Sequence, residues 1–343
     1  MLNPHAKLVQ NIFDSKLEQK PTRDGFGTGT IEAGRANENV VVLCADLAES
    51  TRAEWFQKEF PERFIEMGIA EQNMAATAAG FALAGKVPFM ASYAAFSPGR
   101  NYEQIRTTIA LNTMHVIVCG MHAGVSVGPD GATHQMLEDI GLMRMLPGMT
   151  VIAPSDAEEA RKAIIAASNM STPVYIRFGR SPVPSYTTPE TPFEIGKAIV
   201  LWDSELTEGV GGIQVPQKAK VALLTTGSMA HQALVAARAL AAEGIGTLIL
   251  SVPTIKPLDT EAVVSAARRT SHVITIEEHT VMGGFGSAVA ECLGELYPVK
   301  MLRLGTQDVF GQSGTPDELM QYYGLSAVHI REAVQKILIH TQH

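Results

Sequence analysis

Residues 68–96, GIAEQNMAATAAGFALAGKVPFMASYAAF, contain the pattern that decides the fold class. The Ala-rich run Gln72–Leu83 predicts a helix, and the apolar run Phe89–Ala91 that follows it predicts a buried strand. Short β-branched runs alternate with Ala-rich stretches in the same way along most of the chain. This alternation predicts an α/β protein with parallel sheets covered by helices.

The same alternation predicts the remaining elements. The other strands are expected at Val40–Cys44, Val116–Gly120, Val174–Phe178, Val221–Thr225, Thr247–Ser251, His272–Ile276 and Lys300–Leu304. The other helices are expected at Tyr102–Leu111, Ala157–Ser168, His231–Ala242, Glu261–Ala267, Gly286–Leu296 and Ala327–Ile339. A helix start at Asp156 is supported by the capping pattern of residues 155–158.

A Pro-rich break at residues 181–192 divides the chain into two domains. The stretch SPVPSYTTP (181–189) sustains neither a helix nor a central strand. Each domain is expected to contain a mainly parallel sheet flanked by helices. The predicted division is an N-terminal helical extension at 1–20, a first domain at 21–182, a linker at 183–194 and a second domain at 195–343. Within the second domain, Asp203–Lys218 is polar and Gly-rich and is expected to form a surface loop.

The composition argues against several classes of partner. The 343 residues carry a net charge of −8 and no dense Lys/Arg run, so neither nucleic acid nor an anionic membrane is expected to bind. The most apolar run, Met74–Gly85, is too short to span a bilayer as a helix. The 3 cysteines are distant from one another, which argues against a disulfide framework. A reducing, cytoplasmic location fits these features.

Polar and aromatic side chains follow the predicted strands of the first domain. In an open parallel sheet, ligands bind beyond the carboxyl ends of the strands. The residues expected there are Asp46, Ser50, Glu71, Tyr93, Phe96, His122, Asp130, His134 and Arg180. A rim that combines carboxylates, aromatic rings, histidines and an arginine suits an enzyme better than a scaffold.

Taken singly, each of these residues has an ordinary explanation. Glu71 begins a helix, where a carboxylate stabilises the helix dipole by about 0.3–1 kcal/mol. Tyr93 and Phe96 suit a core, the two histidines suit loops, and Asp130 suits a Pro-Asp-Gly turn. No paired ligand spacing indicates a zinc site. The Gly-rich segment 283–286 lacks the Lys-Ser/Thr of a P-loop and predicts a tight strand-to-helix turn.

The order of these pieces resembles the pyrimidine-binding domain of transketolases. The segments that carry the resemblance are ADL (45–47) with Ser50, GIAEQN (68–73), YAAF (93–96), His122, GPDGATHQ (128–135) and LPGMTVIAPSD (146–156). The resemblance runs from about Arg23 to Arg180, and a weaker one continues through a transketolase C-terminal domain. No single segment is specific to transketolases, but the order of all these segments along the first domain is.

The resemblance implies a cofactor, thiamine diphosphate. Glu71 corresponds to the glutamate that hydrogen-bonds the aminopyrimidine ring and controls its proton, while the cofactor carries the carbon–carbon chemistry. A catalytic Glu71 would need an apolar site around its carboxyl group. Phe96 and Tyr93 correspond to the aromatic residues that flank the pyrimidine ring, and Asp46 corresponds to an acidic residue beside the cofactor.

The resemblance also implies the substrate: a two-carbon ketol unit would be transferred between sugar phosphates. His122 and His134 correspond to substrate-facing catalytic histidines, and Asp130 to an aspartate that binds a donor hydroxyl. An arginine suits phosphate because its planar guanidinium meets phosphate oxygens bidentately. The residues that correspond to the phosphate-binding group are Arg23, Ser50 and Arg180. The sequence leaves the donor and acceptor sugars open.

The sequence departs from the transketolase pattern in three ways. Tyr93 replaces a more usual Phe, and Gly99 stands where many transketolases carry another aromatic residue, so we expect a differently shaped pyrimidine wall. Whole transketolases also contain a Gly-Asp-Gly segment and a later Asn that hold the metal and the diphosphate, and no such segment occurs here. We therefore expect a partner subunit that holds the diphosphate with Mg²⁺ or Ca²⁺, in an active unit with two copies of each chain.

Other interpretations share part of this pattern. The β subunit of a 2-oxo-acid dehydrogenase has the same domain order and an Ile-Ala-Glu-Gln segment, but residues 130–135 and the phosphate-binding group favour a transketolase. Deoxyxylulose-phosphate synthase has a similar loop and is normally one long chain. A regulatory protein that keeps the fold would be expected to lose Glu71 or the polar rim. A neighbouring gene for a diphosphate-binding subunit would favour a split transketolase, and one for a lipoyl-bearing acyltransferase would favour the dehydrogenase.

Overall fold

The computed structural model describes residues 1–206 and 217–339. These residues form two main sheets flanked by helices, which confirms the predicted α/β class. The middle of the predicted surface loop Asp203–Lys218 and the last residues of the predicted second domain lie outside the described residues. Within the described ranges, no helix is both long and apolar enough to cross a membrane.

Strands and helices alternate through most of the chain. The strands are β1 Gln19–Lys20, β2 Val40–Cys44, β3 Phe64–Glu66, β4 Val87–Tyr93, β5 Ile117–Met121, β6 Thr150–Ile152, β7 Val174–Arg177, β8 Val183–Pro184, β9 Ile199–Asp203, β10 Ala219–Thr225, β11 Gly246–Ser251, β12 Thr254–Lys256, β13 His272–Thr280 and β14 Lys300–Thr306. The α-helices are α1 Thr22–Ala36, α2 Ala48–Thr51, α3 Ala53–Glu59, α4 Glu71–Leu83, α5 Tyr102–Gln104, α6 Asp139–Arg144, α7 Ala157–Ser168, α8 Met229–Ala242, α9 Thr260–Arg269, α10 Phe285–Leu296, α11 Pro316–Tyr322 and α12 Ala327–Ile339. Shorter turns of 3₁₀-helix cover Pro4–Ala6, Pro61–Arg63 and Val125–Val127, and a π-helix covers Ile105–Ala110.

The larger sheet has the strand order β12-β6-β7-β5-β4-β2-β3. Neighbouring strands are parallel except at one edge, where β12 pairs antiparallel with β6. The register places Cys44 beside Ala91, Ala91 beside Cys119 and Cys119 beside Ile176. The strands β2, β4, β5 and β7 therefore end at the same edge of the sheet, where the residues that follow them come together.

The second sheet has the order β14-β13-β10-β11-β9, and it is parallel except for β9, which pairs antiparallel with β11. The strand β12 follows β11 closely in sequence yet joins the larger sheet. The two sheets are thus connected by chain that crosses between them, and β13 brings its carboxyl end towards the loops of the larger sheet.

Burial and capping explain why these elements form. All residues of β2 and β5 are buried, as expected for parallel strands covered by helices on both faces. Asp156 caps the N-terminus of α7, because its carboxylate accepts a hydrogen bond of 3.0 Å from the Glu159 backbone N–H. The helix starts where it was predicted, but the capping pair is one residue beyond the predicted pattern of residues 155–158. The Glu159 carboxylate in turn accepts a hydrogen bond of 2.7 Å from the Ser155 N–H.

The first twenty residues differ from the predicted helical extension. They contain a single 3₁₀ turn, Pro4–Ala6, which ends at Lys7 with a left-handed φ of 52°. The segment then reaches β1, which pairs antiparallel with β8 inside the predicted linker. The side chains of Ile12 and Leu17 are buried in a cluster that includes Trp202, so packing onto the second sheet holds this segment without a helix. The domain boundaries themselves stay a prediction.

Candidate functional site

One edge of the larger sheet collects most of the candidate residues. Tyr93 is the last residue of β4, His122 directly follows β5, and Arg180 lies shortly beyond β7. Asp46 lies shortly beyond β2, and Glu71 is the first residue of α4, which follows β3. The parallel register brings these strand ends together, because their carboxyl ends meet at the same edge.

Four rings form an aromatic cluster at this edge: Tyr93, Phe96, His122 and His134. The Tyr93 ring stacks on His122 with centroids 4.0 Å apart and on Phe96 with centroids 5.8 Å apart. The His134 ring meets Tyr93 and Phe96 edge-on, at 6.1 and 5.5 Å. The stacked and edge-on geometries are those that aromatic pairs prefer. The cluster therefore forms a flat-sided aromatic wall.

The Glu71 carboxylate is buried and is paired with an arginine that also contacts this wall. Glu71 is buried, and its Oε2 accepts a hydrogen bond of 2.7 Å from Nη1 of Arg100, whose side chain is 47% exposed. The Arg100 guanidinium also lies over the Phe96 ring, 4.8 Å from its centroid. Asn101 donates a hydrogen bond of 3.0 Å to the Glu71 backbone carbonyl. The carboxylate thus has an ion-pair partner rather than the purely apolar surroundings expected for a catalytic glutamate.

Sequence reasoning missed Arg100. It stands 29 positions from Glu71 in a turn that follows the aromatic pair, and a single exposed arginine at a helix start is not unusual. The signal that could have identified it is the combination of a predicted functional carboxylate and a neighbouring cation, because buried charges are normally paired.

Gly99 has a steric reason to differ from an aromatic residue. A Cβ atom built at Gly99 would lie only 2.1 Å from the Ala95 carbonyl oxygen, so the backbone leaves no room for a side chain. The wall is instead supplied by the rings of Tyr93 and His122, together with Phe96 under Arg100. The difference in the shape of the wall stays a prediction, and the tight backbone at Gly99 gives it a steric basis.

His122 is held as a neutral imidazole. Its backbone is left-handed, with φ 54°, a conformation that non-glycine residues adopt uncommonly. Burial, together with the positive charges of Arg23 and Arg180, lowers the pKa of His122 to about 3. Since Arg23 Nη1, 3.0 Å away, can only donate, Nε2 accepts and the ring proton is assigned to Nδ1. In the described part of the chain Nδ1 is buried and has no hydrogen-bond partner.

The predicted phosphate-binding residues partly converge. Arg23 Nη1 donates to the backbone carbonyl of Ser50 at 2.6 Å, so Ser50 takes part through its main chain rather than its hydroxyl group. Arg180 Nη1 donates to the carbonyl of Val127 at 2.7 Å. Burial lowers the pKa of Arg23, and the positive charges of Arg52 and Arg180 lower it further, against the opposing charge of Asp24. The result is a local positive region in an acidic protein.

Asp46 and Asp130 are the two exposed carboxylates among the predicted site residues. Asp46 is exposed, has a left-handed φ of 56°, and donates its backbone N–H to the Glu66 carboxylate at 2.8 Å. Asp130 is exposed in a turn closed by a hydrogen bond of 3.2 Å from the Gly131 N–H to the Gly128 carbonyl. Within residues 1–206 and 217–339, no hydrogen bond joins either carboxylate to the cluster. Their roles stay predictions.

The cluster fits a flat, nitrogen-rich ring. Stacked aromatic rings can flank such a ring, and a buried carboxylate can accept a hydrogen bond from a ring N–H. The buried, unpartnered Nδ1–H of His122 can donate to an oxygen or nitrogen acceptor in the same region. Arg23 and Arg180 add a positive region suited to an anionic substituent. The combination suits a heteroaromatic cofactor beside a phosphorylated substrate.

Comparison with known families agrees with this combination. Residues 18–185 match the family model of the transketolase pyrimidine-binding domain, and residues 211–330 match that of the transketolase C-terminal domain. Fold, site and matches together define an α/β protein with a thiamine-diphosphate pyrimidine-binding domain. The chain belongs to the transketolase family.

Relatives that match along nearly their whole length are shorter than whole transketolases. A putative transketolase C-terminal section from Methanocaldococcus jannaschii is 40% identical, over 92% of this chain and 96% of that protein. A 6-deoxy-6-sulfo-D-fructose transketolase subunit, SqwH, from Clostridium sp. (strain MSTE9) is 38% identical, over 95% of this chain and 97% of that protein. A solved structure described as a split gene transketolase, inactive beta4 tetramer, superposes with a TM-score of 0.82 at 43% identity, over 92% of this chain and 97% of that one.

Proposed function

We propose that this chain is the pyrimidine-binding subunit of a two-chain, thiamine-diphosphate-dependent transketolase that transfers a two-carbon ketol unit between sugar phosphates. The observation that carries the proposal is a stacked aromatic wall with a charged group at two of its rings: the Arg100 partner of the buried Glu71 lies over Phe96, and Arg23 bonds to His122. The family membership supports the cofactor, and the relatives described as a C-terminal section and as a subunit support a divided enzyme.

Glu71 would bind the aminopyrimidine ring of the cofactor. When bound, thiamine diphosphate supplies a nucleophilic carbon for cleaving and forming carbon–carbon bonds. The Glu71 carboxylate would accept a hydrogen bond from the ring and hold the shared proton in place, while Tyr93 and Phe96 would flank the ring. Because Glu71 is buried and begins α4, its position is fixed by the helix and is not set by the ligand.

The substrate would lie between the histidines and the arginines. Neutral His122 would donate its Nδ1–H to a substrate oxygen, and His134 would supply a second hydrogen bond from the same aromatic cluster. Arg23 and Arg180 would bind the phosphate through charge-assisted hydrogen bonds. Asp130 would bind a donor hydroxyl, and Asp46 would lie beside the cofactor, as the transketolase resemblance implies.

The diphosphate and its Mg²⁺ or Ca²⁺ would be held by the partner subunit. These cations require several oxygen ligands, which whole transketolases supply from the domain that this chain does not resemble. The active unit would contain two copies of each chain, since family members form active sites between such domains across a dimer. The isolated chain would then bind the cofactor weakly and show no transfer.

Co-expression tests the proposal. The chain would be purified alone and together with a candidate diphosphate-binding subunit, and two-carbon transfer would be assayed on a panel of ketose and aldose phosphates. Calorimetry would measure binding of thiamine diphosphate with Mg²⁺ to each preparation. We expect tight binding and transfer only with both subunits present. Full turnover by the isolated chain would overturn the divided-enzyme assignment, and a complex that binds the cofactor but transfers no ketol unit would overturn the reaction.

A further inference from the structure

The segment between β5 and α6 carries three of the proposed substrate residues. We call residues 122–136 the substrate loop, because it contains His122, Asp130 and His134. Apart from the 3₁₀ turn Val125–Val127, it has no regular secondary structure that could fix its shape. Its geometry must therefore depend on the groups that hydrogen-bond to its backbone.

One of those groups comes from the second domain. Glu278 lies on β13 and is only 5% exposed. Its Oε1 accepts a hydrogen bond of 2.7 Å from the backbone N–H of Ser126, across 152 positions of sequence. Its Oε2 accepts a hydrogen bond of 3.1 Å from the Ser228 hydroxyl, just before α8. Both carboxylate oxygens are thus used, one on the substrate loop and one on the second domain.

The loop backbone is shaped to admit this carboxylate. Gly124 has a left-handed φ of 91°, and a Cβ atom built there would lie 2.3 Å from Glu278 Oε1. Any side chain at this position would collide with the carboxylate or displace it. The close approach of Glu278 to the loop is therefore a built feature of the domain interface.

The contact to Ser126 is next to the contact that holds Arg180. The Ser126 carbonyl accepts a hydrogen bond of 2.5 Å from the Ser181 hydroxyl, and the Val127 carbonyl accepts one of 2.7 Å from Arg180 Nη1. A shift of the loop at Ser126 would therefore move the carbonyl that orients the Arg180 guanidinium. Glu278 acts on the phosphate-binding region through this short path of backbone.

A second contact fixes the far end of the loop. Gln135 Nε2 donates to the Gln312 carbonyl in the second domain and to the Val125 carbonyl within the loop, both at 3.0 Å. Gly131 packs closely on the same part of the second domain, since a Cβ there would lie 2.6 Å from Ser313 Oγ. The second domain thus holds both ends of the segment that carries Asp130 and His134.

We propose that Glu278 is a positioning residue for the substrate loop, and that the second domain of this chain sets the geometry of the substrate side of the site. The proposal rests on the proposed function, because only that function makes residues 122–136 a substrate loop. The physical basis is a charge-assisted hydrogen bond from the partly buried Ser126 N–H to a carboxylate, which is stronger than a neutral one. A rigid element of the second sheet supplies the acceptor.

Three substitutions separate positioning from mere stability. Glu278→Ala removes the acceptor for the Ser126 N–H, whereas Glu278→Gln keeps an amide oxygen that can still accept it. Glu277→Ala is the matched control, because Glu277 is the adjacent, similarly buried glutamate whose carboxylate bonds to the start of α10 instead of the loop. Should Glu278→Ala not fold, Gln135→Met removes a different hydrogen bond between the loop and the second domain.

Hydrogen exchange of the isolated chain and kinetics of the two-subunit enzyme supply the readouts. We expect Glu278→Ala, or Gln135→Met, to raise amide exchange across residues 122–136 by about tenfold or more. The KM for sugar phosphate should rise by about 10–100-fold, because small displacements of positioning groups have effects of this size. Glu278→Gln should restore both quantities to nearly wild-type values. Glu277→Ala should lower the unfolding temperature without changing either one.

The outcomes distinguish this proposal from the proposed function. The positioning role would be overturned if Glu278→Ala left amide exchange in residues 122–136 unchanged. It would also be overturned if Glu277→Ala changed exchange and KM as much as Glu278→Ala does. Increased exchange in the loop, together with a wild-type complex that transfers no ketol unit, would support the contact between the domains and overturn the transketolase function instead.

Discussion

Two of the buried glutamates, Glu71 and Glu277, are each associated with the start of a helix, and their carboxylates are held in opposite ways. Glu71 begins α4 in the first domain, and its carboxylate is paired with the half-exposed Arg100 side chain at 2.7 Å. Glu277 lies on β13 in the second domain, and its carboxylate accepts hydrogen bonds of 2.7 Å from the backbone N–H groups of both Phe285 and Gly286. Both side chains are almost fully buried.

The two carboxylates differ in whether a ligand can displace their hydrogen-bond partner. The backbone N–H groups at the start of α10 cannot move without unwinding the helix, so Glu277 fixes the tight turn between β13 and α10. Arg100 is a flexible side chain that reaches solvent, so it can give up its place on Glu71 to a ligand. A buried carboxylate with an exchangeable partner suits a binding site, whereas one with fixed partners suits structure. The comparison supports a functional role for Glu71 and a structural role for Glu277.

The sharpest test of the comparison is Glu71→Gln in the two-subunit enzyme. The amide keeps the shape but cannot hold the proton that the proposed function assigns to Glu71. We expect kcat to fall by about 10²–10⁴-fold, the usual contribution of a positioned proton-transfer group. The unfolding temperature of the isolated chain should change little. Near-wild-type turnover would remove Glu71 from the mechanism.

The converse test is Glu277→Gln, measured as stability against pH. Burial raises the pKa of Glu277 from 4.5 to about 7, although the two N–H groups lower it in part. The folded state therefore binds this proton more tightly than the unfolded state does. The resulting stability is complete below about pH 4.5 and is lost as the pH rises through about 7. The amide of the variant does not titrate, so the stability advantage of the wild-type chain over Glu277→Gln should shrink with rising pH, by up to about 3 kcal/mol.

Chemical denaturation at pH 5 and pH 8 measures this change. Glu159 is also buried and has a pKa raised to about 7, but it is present in both proteins and cancels in the difference. In the two-subunit enzyme, kcat of Glu277→Gln should stay within a few-fold of wild type. A stability difference independent of pH would show that Glu277 does not titrate in this range, and a large loss of kcat would contradict its structural role.

The contrast between exchangeable and fixed partners extends to two arginines near the end of β7: Arg177 is the last residue of the strand, and Arg180 lies in the segment that follows it. Arg177 is buried and ion-paired with Asp139 at 2.9 Å, whereas Arg180 is partly exposed and donates to the Val127 carbonyl. Arg180→Ala should raise the KM for phosphorylated sugars by about 10–100-fold, because a charge-assisted bond to phosphate is lost. The KM for unphosphorylated analogues should change much less. Arg35→Ala, at an exposed surface ion pair, is the control.

Equal losses for phosphorylated and unphosphorylated substrates would show that Arg180 holds the loop rather than the phosphate. The result would then point back to the substrate loop, since the hydrogen bond from Arg180 to Val127 is one of the contacts that shape it.

Local patterns predicted most of the fold. Helices α7 and α12 begin and end at the predicted residues, because apolar periodicity and capping are encoded in neighbouring positions. The predicted helix Tyr102–Leu111 begins correctly, but its later part is a π-helix, which apolar spacing does not distinguish from an α-helix. The predicted helical extension was wrong, because residues 1–20 are ordered by packing on the second sheet and by pairing of β1 with β8.

Position at the edge of the sheet was predictable for residues that follow a predicted strand. Tyr93 and His122 could be proposed because they follow predicted strands. Arg100 and Glu278 could not, because their partners lie 29 and 152 positions away and no local spacing encodes such contacts. Sequence order shows which residues reach the edge of the sheet, and the tertiary structure shows which partners hold them there.

The smallest expected effect concerns Arg100 itself. If Arg100 is exchangeable, Arg100→Met leaves the Glu71 carboxylate unpaired in the isolated chain but costs less once the cofactor ring takes that place. The isolated chain should therefore lose stability, by about 1–2 kcal/mol, since the arginine is half exposed. Thiamine diphosphate with Mg²⁺ should stabilise the two-subunit enzyme more in Arg100→Met than in wild type. The free variant carries an unpaired Glu71 carboxylate that the cofactor ring would pair on binding, and ligand binding stabilises a protein by the free energy gained over its free state. Thermal unfolding with and without the cofactor measures both quantities.

The control is the double variant Arg100→Met/Glu71→Gln. It should recover most of the lost stability of the isolated chain, because no buried charge remains unpaired. An equal loss of stability with and without the cofactor would mean that Arg100 stays on Glu71 throughout, and the contrast with the fixed partners of Glu277 would then fail.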